Sequence, residues 1–145
     1  DGKENLVVSA FQRAADQLID HTSRRIDGAG TDPRERIRAA LRSWFEPEFS
    51  DLEHLEIWTA IWAVGRTNDG VAAAERDFYE RSADLLRDAI SDAHPALSPD
   101  AVSRRVTDVI ALQNGLWINW NRWADREALE RGLGRCEAIA FEVQG

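Results

Sequence analysis

The chain has 145 residues, of which 43% are apolar and 30% are charged, a balance typical of a folded globular domain and not of a disordered or fibrous one. Its 18 basic and 26 acidic residues give a formal net charge of -8, which disfavours binding of this segment itself to the phosphates of nucleic acids. The single cysteine, Cys136, excludes an internal disulfide, and no apolar run approaches the roughly 20 residues that cross a bilayer.

Hydrophobic spacing predicts an all-α domain of six helices, because apolar residues recur at helical intervals and no stretch alternates as a strand would. The first helix is expected over residues 1–26, where Asp1 and Glu4 resemble a capping box. The second is expected over residues 33–45, with Asp32 as its N-cap.

Cap and turn residues also divide the rest of the chain. Ser50 and Ser98 are the expected N-caps of the third and fifth helices, and residues 68–70 (NDG) predict a turn before the fourth. The third helix has little polar surface after its first turn and should be central. Since no linker or repeat is visible, residues 1–145 are expected to form one domain. The remaining helices are expected over residues 51–66, 71–94, 99–123 and 125–143.

The sequence predicts no catalytic residue, no metal site and no cofactor. The nearest match to the Glu-x-x-His metal motif of helical bundles joins Asp51 to His54, and it has no second copy. His21 and His94 lie near helix ends, where an imidazole often only complements the helix dipole. Cys136 falls on the apolar stripe of the last helix, which favours a packing role over a nucleophilic one.

Tryptophan is the unusual component, with six residues in two groups. One interpretation is ordinary packing in a core or interface, and the other is a mostly apolar ligand chamber between helices. The amides of Gln113 and Asn114, midway along an otherwise apolar helix, could orient such a ligand, and aromatic faces would also suit a cation. The residues expected to line the chamber are Trp58, Trp62, Phe78, Ser82, Gln113, Asn114 and Trp117.

Three segments of the sequence have the pattern of a known protein family. Residues 1–6 (DGKENL) resemble the Lys-Glu-x-Leu start of the fourth helix in TetR-type transcriptional repressors. Residues 57–63 (IWTAIWA) are similar to the Ala-Trp-Leu-Ala-Phe-Trp-Ala segment of the BetI-type group, and residues 109–118 (VIALQNGLWI) resemble its Ala-Leu-Ile-Asp-Gly-Leu-Trp-Leu stretch. Asn114 stands where the group usually has aspartate, which argues against a choline-like cation as the ligand.

The resemblance implies a cytoplasmic, ligand-responsive repressor of which this chain is the effector-binding and dimerisation domain. A helix-turn-helix head that binds operator DNA is then expected before residue 1, as the absence of methionine also indicates, and residues 1–26 would connect to it. The last two helices would pair with those of a second copy in a four-helix bundle. The expected interface residues are Leu116, Trp120, Leu133, Cys136 and Ala140.

Two other functions are alternatives to a regulator. One is a small helical enzyme with an aromatic-lined pocket, and the other is a structural helical adaptor. Neither is favoured, because the sequence shows no acid, base or nucleophile constellation and because an adaptor has no evident use for two central amides.

Overall fold

The computed structural model describes residues 2–142. Over that range the chain forms six α-helices and no β-strand, which confirms the all-α prediction. None of these helices is long and apolar enough to cross a membrane. In chain order they are α1 Gly2–Gly28, α2 Pro33–Arg42, α3 Leu52–Val64, α4 Asp69–Ala93, α5 Pro99–Trp123 and α6 Arg126–Phe141.

Side-chain caps determine where α2 to α6 begin, because each helix leaves its first backbone N–H groups without an internal partner. The predicted caps Asp32 and Ser98 are confirmed, and both side chains accept a backbone hydrogen bond from the first turn that follows. The prediction for α3 is wrong by one residue. Asp51 caps this helix, while the hydroxyl of Ser50 donates to the Trp44 carbonyl at 2.8 Å.

The expected turn at residues 68–70 is also wrong. Asn68 is the N-cap of α4, and its Oδ1 accepts from the backbone N–H of Val71 at 3.1 Å. Asp69 and Gly70 therefore belong to the first turn of the helix. The Asn68 amide also donates to Glu4 at 2.7 Å and so ties the start of α4 to α1.

Helix α2 ends at Arg42, three residues before the expected end, and two 3₁₀ turns follow at residues 43–45 and 47–49. The hydroxyl of Ser43 donates to the Ala40 carbonyl at 2.8 Å, where it competes with the backbone hydrogen bonds that would extend the helix. Helix α3 likewise ends at Val64, two residues early. The expected Asp1 cap and the expected last helical residue, Val143, lie outside the described residues.

The helices enclose two hydrophobic cores that lie side by side. The first, which we call the aromatic cluster, joins α1, α3, α4 and α5 and is built mainly of rings. The second is aliphatic and lies between α2, α4, α5 and α6, with Ile26 from the end of α1. The rings of the aromatic cluster are Phe11, Trp44, Phe49, Trp58, Phe78 and Trp117.

Three residues expected at a dimer interface are instead buried within the protomer. Leu133 is 1% exposed, and Cys136 and Ala140 are 0% exposed. Helix α6 turns this stripe toward the rest of its own chain, where Cys136 and Ala140 pack in the aliphatic core. The prediction is corrected for these residues, because they have no surface to offer a second copy.

Candidate functional site

Four helices meet at the aromatic cluster through ring contacts. Phe11 of α1 lies with its ring centre 4.9 Å from that of Trp58 of α3 and 6.0 Å from that of Phe78 of α4. Trp58 is in turn 5.7 Å from Trp117 of α5. The contacts to Phe11 are edge-on, a geometry worth about 0.5 to 1.5 kcal/mol per pair beyond the area buried. The cluster therefore couples the position of α1 to that of the other three helices.

A buried hydrogen bond fixes the position of Trp117 in the aromatic cluster. The indole N–H of Trp117 donates to the Phe49 carbonyl at 3.0 Å, which joins α5 to the 3₁₀ turn at residues 47–49. That carbonyl lies beyond the end of α2 and would otherwise lack a partner in a nonpolar setting. The hydrogen bond satisfies both polar groups and fixes the plane of the Trp117 ring.

Within residues 2–142, the aromatic cluster does not enclose the roomy ligand chamber expected from the sequence. Two cavities of only about 10 Å³ each lie in and beside the aromatic cluster, enough for about one water molecule apiece. We call them the Trp58 cavity and the Ser82 cavity. The Trp58 cavity is small because large rings close on one another around it, and the Ser82 cavity is filled mainly by aliphatic side chains. A larger ligand would have to move side chains apart.

The structure gathers most of the expected chamber residues around these two cavities. Ser82 and Gln113 line the Ser82 cavity, whereas Trp62 lines neither and packs half-buried against the edge of the cluster. Those that line the Trp58 cavity are Trp58, Phe78, Asn114 and Trp117.

Several lining residues were not predicted, because they come from parts of the chain that the sequence did not connect with the chamber. Leu18 and Thr22 on α1 line the Trp58 and Ser82 cavities respectively, and Trp44 lines both. Trp44 is one of the six tryptophans, and this enrichment is the sequence signal that could have identified it as a lining residue. No pattern in the sequence indicated that α1 would supply a wall.

Two buried polar groups line the Ser82 cavity, and they differ in their hydrogen bonding. The amide of Gln113 donates to the Leu41 carbonyl at 3.1 Å, and this bond links α5 to the last turn of α2. Ser82 is 8% exposed, and its hydroxyl is buried with no hydrogen-bond partner among the described residues. A water or a ligand hydroxyl in the cavity would satisfy it.

Tyr79 and Asn114 form a second polar pair at the outer edge of the aromatic cluster. The Tyr79 hydroxyl donates to Asn114 Oδ1 at 3.2 Å. Burial raises the pKa of Tyr79 to about 12, while hydrogen bonding with the Trp62 side chain acts in the opposite direction. The hydroxyl therefore stays protonated at neutral pH. No charged side chain of the described residues lines either cavity.

His21, Glu46 and Glu48 bring possible metal-ligand atoms within 4.8 Å of one another, an arrangement that the sequence did not indicate. His21 Nε2 lies 2.6 Å from Glu46 Oε2, and Arg25 donates to the same oxygen at 2.9 Å. A cation would have to share this carboxylate with a guanidinium. The group is better described as an ion pair that joins α1 to the loop after α2.

Residues 33–140 match the family model of the C-terminal domain of BetI-type transcriptional repressors. The chain belongs to this family. This BetI-type domain is similar to two HTH-type transcriptional regulators BetI. It is 25% identical to that of Paraburkholderia phytofirmans and 26% identical to that of Paraburkholderia xenovorans, each over 116 aligned residues. These alignments cover 80% of this chain and 58% of each relative, so the chain spans little more than half the length of those regulators.

A solved structure shares the fold of this BetI-type domain. It is a crystal structure of a protein from Pseudomonas aeruginosa PAO1 described as a transcriptional regulator. The TM-score is 0.81 at 21% identity, and the match covers 92% of this chain and 65% of that one. The family match extends from the start of α2 into α6, so it includes every helix that contributes to the aliphatic core except α1.

Proposed function

We propose that this BetI-type domain is the effector-binding and dimerisation part of a cytoplasmic, ligand-responsive transcriptional repressor. In this proposal a helix-turn-helix head precedes residue 1 and binds operator DNA, and α1 connects the head to the sensor. Family membership and the greater length of the two curated regulators support it.

The main support for the proposal is the position of Phe11 in the aromatic cluster. This side chain is 0% exposed and lies on α1, yet it packs against Trp58 and Phe78 in the aromatic cluster. A ligand too large for the present cavities must displace rings of the cluster, and Phe11 transmits that displacement to α1. The ligand thus binds one conformation better than the other, which is the condition for an allosteric response.

The walls of the cavities indicate the chemistry of the ligand portion that enters. They are apolar and aromatic apart from a few neutral polar groups, and no charged side chain lines them among the described residues. We therefore propose that an uncharged, apolar or aromatic group enters. Its proposed contacts are Trp58, Phe78, Ser82, Gln113, Asn114 and Trp117, with Trp62 at the edge.

Titration of tryptophan fluorescence with a panel of metabolites tests this function. We expect saturable quenching by one chemical class, without conversion of the compound, since three tryptophans lie at the cavities. Turnover of the compound would favour the enzyme alternative, and a signal that stays constant across a broad panel would favour the adaptor.

The Phe11 route has its own test in the complete regulator. Phe11→Leu should leave ligand binding largely intact but weaken the loss of operator affinity on ligand addition, because the smaller side chain follows the rings less closely. Gln12→Ala, at an exposed position next to it, is the control. Equal DNA release by Phe11→Leu and the unchanged protein would contradict the route.

The outer surface of α5 and α6 supports the dimerisation part of the proposal. A hollow of about 180 Å³ between these helices is lined by Leu116, Trp120 and Trp123, of which Trp123 is 64% exposed. A side chain at Gly115 would meet nothing within 4 Å, so the backbone there is open to close approach by another helix. We place the interface on Leu116, Trp120 and Trp123.

Sedimentation velocity tests this interface. Trp123→Glu should weaken self-association strongly while the protomer stays folded, because the side chain is mostly exposed. Leu52→Glu is the control, since Leu52 is 67% exposed on another helix. An unchanged dimer with Trp123→Glu, or equal weakening by both variants, would contradict the assigned face.

A further inference from the structure

An open groove of about 420 Å³ runs between α4 and α5, outside the aromatic cluster. This volume falls within the roughly 300 to 1,000 Å³ usual for small-molecule sites. Its apolar part includes Ala83, Val106 and Ile110, and its rim includes Arg76 and Arg87. The groove is thus amphipathic, with an apolar floor and a basic rim.

The Tyr79–Asn114 pair lies between the groove and the aromatic cluster. Both residues line the groove, and Asn114 lines the Trp58 cavity as well. The Tyr79 ring packs against Phe78 with ring centres 5.0 Å apart, and its hydroxyl bonds to Asn114 at 3.2 Å. The side chains of Trp62 and Trp58 also hydrogen-bond with the Tyr79 hydroxyl. Breaking these neutral hydrogen bonds and turning the ring would connect the groove to the cavity.

The two arginines on the rim differ in whether they form an ion pair. Arg87 forms an ion pair with Asp84 one turn earlier on α4. Arg76 has no ion pair within the part of the chain that the structure describes. Glu80 is the acidic group on the same rim. An anionic ligand group therefore finds an available guanidinium at Arg76, whereas the uncharged cavities further in would exclude it.

The groove also stays clear of the proposed dimer interface. Thr107, Ile110 and Asn114 line it from one side of α5, at spacings of three and four residues. Leu116 and Trp120, which line the hollow beside α6, project from roughly the opposite side of the helix at about 100° per residue.

We propose that this groove is the first binding site and the way in for an amphipathic effector with an apolar or aromatic body and one anionic group. Arg76 binds the anion, and the body passes between Tyr79 and Asn114 into the aromatic cluster. This inference rests on the proposed effector-binding function and assigns Tyr79 as its gate.

The probe is 1-anilinonaphthalene-8-sulfonate, an aromatic sulfonate, and its uncharged counterpart is N-phenyl-1-naphthylamine. Both should bind saturably with an increase in probe fluorescence. Arg76→Gln should weaken binding of the sulfonate about tenfold and leave the neutral probe unchanged, because only the sulfonate forms a charge-assisted contact. Arg24→Gln removes the same charge from an exposed position on α1 and is the control.

Two further variants test the route. Ala83→Phe fills the groove and should weaken both probes, whereas Ala73→Phe, at an exposed position of the same helix, should not. Tyr79→Phe removes the hydroxyl and keeps the ring. It should speed the quenching of tryptophan fluorescence by the neutral probe several-fold in stopped-flow mixing.

The outcomes separate this inference from the function on which it rests. Equal weakening of the sulfonate by Arg76→Gln and Arg24→Gln would overturn the role of Arg76. Quenching whose rate does not respond to Tyr79→Phe, or probe affinity that does not respond to Ala83→Phe, would overturn the groove as the route. In each case saturable tryptophan quenching by a metabolite would still support effector binding at the cluster.

Discussion

Truncation of Phe78 to alanine tests how tightly the aromatic cluster is packed. The side chain is 1% exposed. The centre of its ring lies within 6.0 Å of the ring centres of Phe11, Trp44, Trp58 and Tyr79. Removal of a fully buried ring costs about 3 to 5 kcal/mol, since it loses the transfer free energy of the ring and leaves a cavity. The vacancy, on the order of 100 Å³, would join the adjoining Trp58 cavity of about 10 Å³.

Urea unfolding and thermal melting measure the effect. Phe78→Ala should lower the melting temperature by roughly 10 to 20 °C for a chain of this size. Indole should bind the new cavity, because an apolar cavity of this size stays dry and accepts aromatic guests. At about ten times its dissociation constant, indole would restore roughly 1.4 kcal/mol of stability.

Phe141→Ala is the control, because the Phe141 ring is only half-buried at the edge of the domain, 4.8 Å from the Arg34 guanidinium. It should cost less than Phe78→Ala, and indole should not stabilise it. A loss below about 1 kcal/mol for Phe78→Ala, or no stabilisation of that variant by indole, would show that the ring is not tightly packed. The cluster would then be loosely packed, and a ligand could enter without moving α1.

Three other predictions concern single buried or strained groups. Gln113→Leu should destabilise the domain by about 1 to 3 kcal/mol in urea unfolding, because the buried Leu41 carbonyl loses its partner; a loss below about 0.5 kcal/mol would argue against that bond. Ala124→Gly should stabilise by up to about 1 kcal/mol in the same assay, because Ala124 has a φ of 51°, and a loss of stability would contradict the strain. Burial raises the pKa of the Cys136 thiol to about 11, so at pH 8 the thiol is protonated as well as enclosed. Iodoacetamide should therefore label Cys136 only after unfolding, and rapid labelling of the native protein would contradict this.

Local chemistry explains why so much of the helix pattern could be predicted. The Ser98 hydroxyl satisfies the N–H of Ala101, and Pro99 is suited to the first turn, so the start of α5 depends only on neighbouring residues. The misplaced boundaries at Ser50 and at residues 68–70 arose where two capping side chains or turn residues stood side by side. There the choice depended on a distant group, as with the hydrogen bond from Ser50 to Trp44.

The candidate site could be predicted in its residue types but only in part in its arrangement. Aromatic enrichment identified Trp58, Phe78 and Trp117, which line one cavity together with Asn114. The contribution of α1 could not be read from the sequence, because Phe11 has the same helical spacing whether it packs on one neighbouring helix or another. The closure of the chamber was equally hidden, since edge-to-face ring packing depends on rotamers that all four helices determine jointly.

The helical class of the chain and the starts of most helices follow from the sequence, because caps, turns and apolar periodicity act over a few residues. The family resemblance also follows from short segments of sequence. The partner that each apolar face meets depends instead on how the helices pack in three dimensions. Cys136 and Leu133 show the difference, since the same stripe could have covered a second copy or the protomer's own core. Burial depends on how all the helices share a limited interior, and that balance is settled only when they pack together.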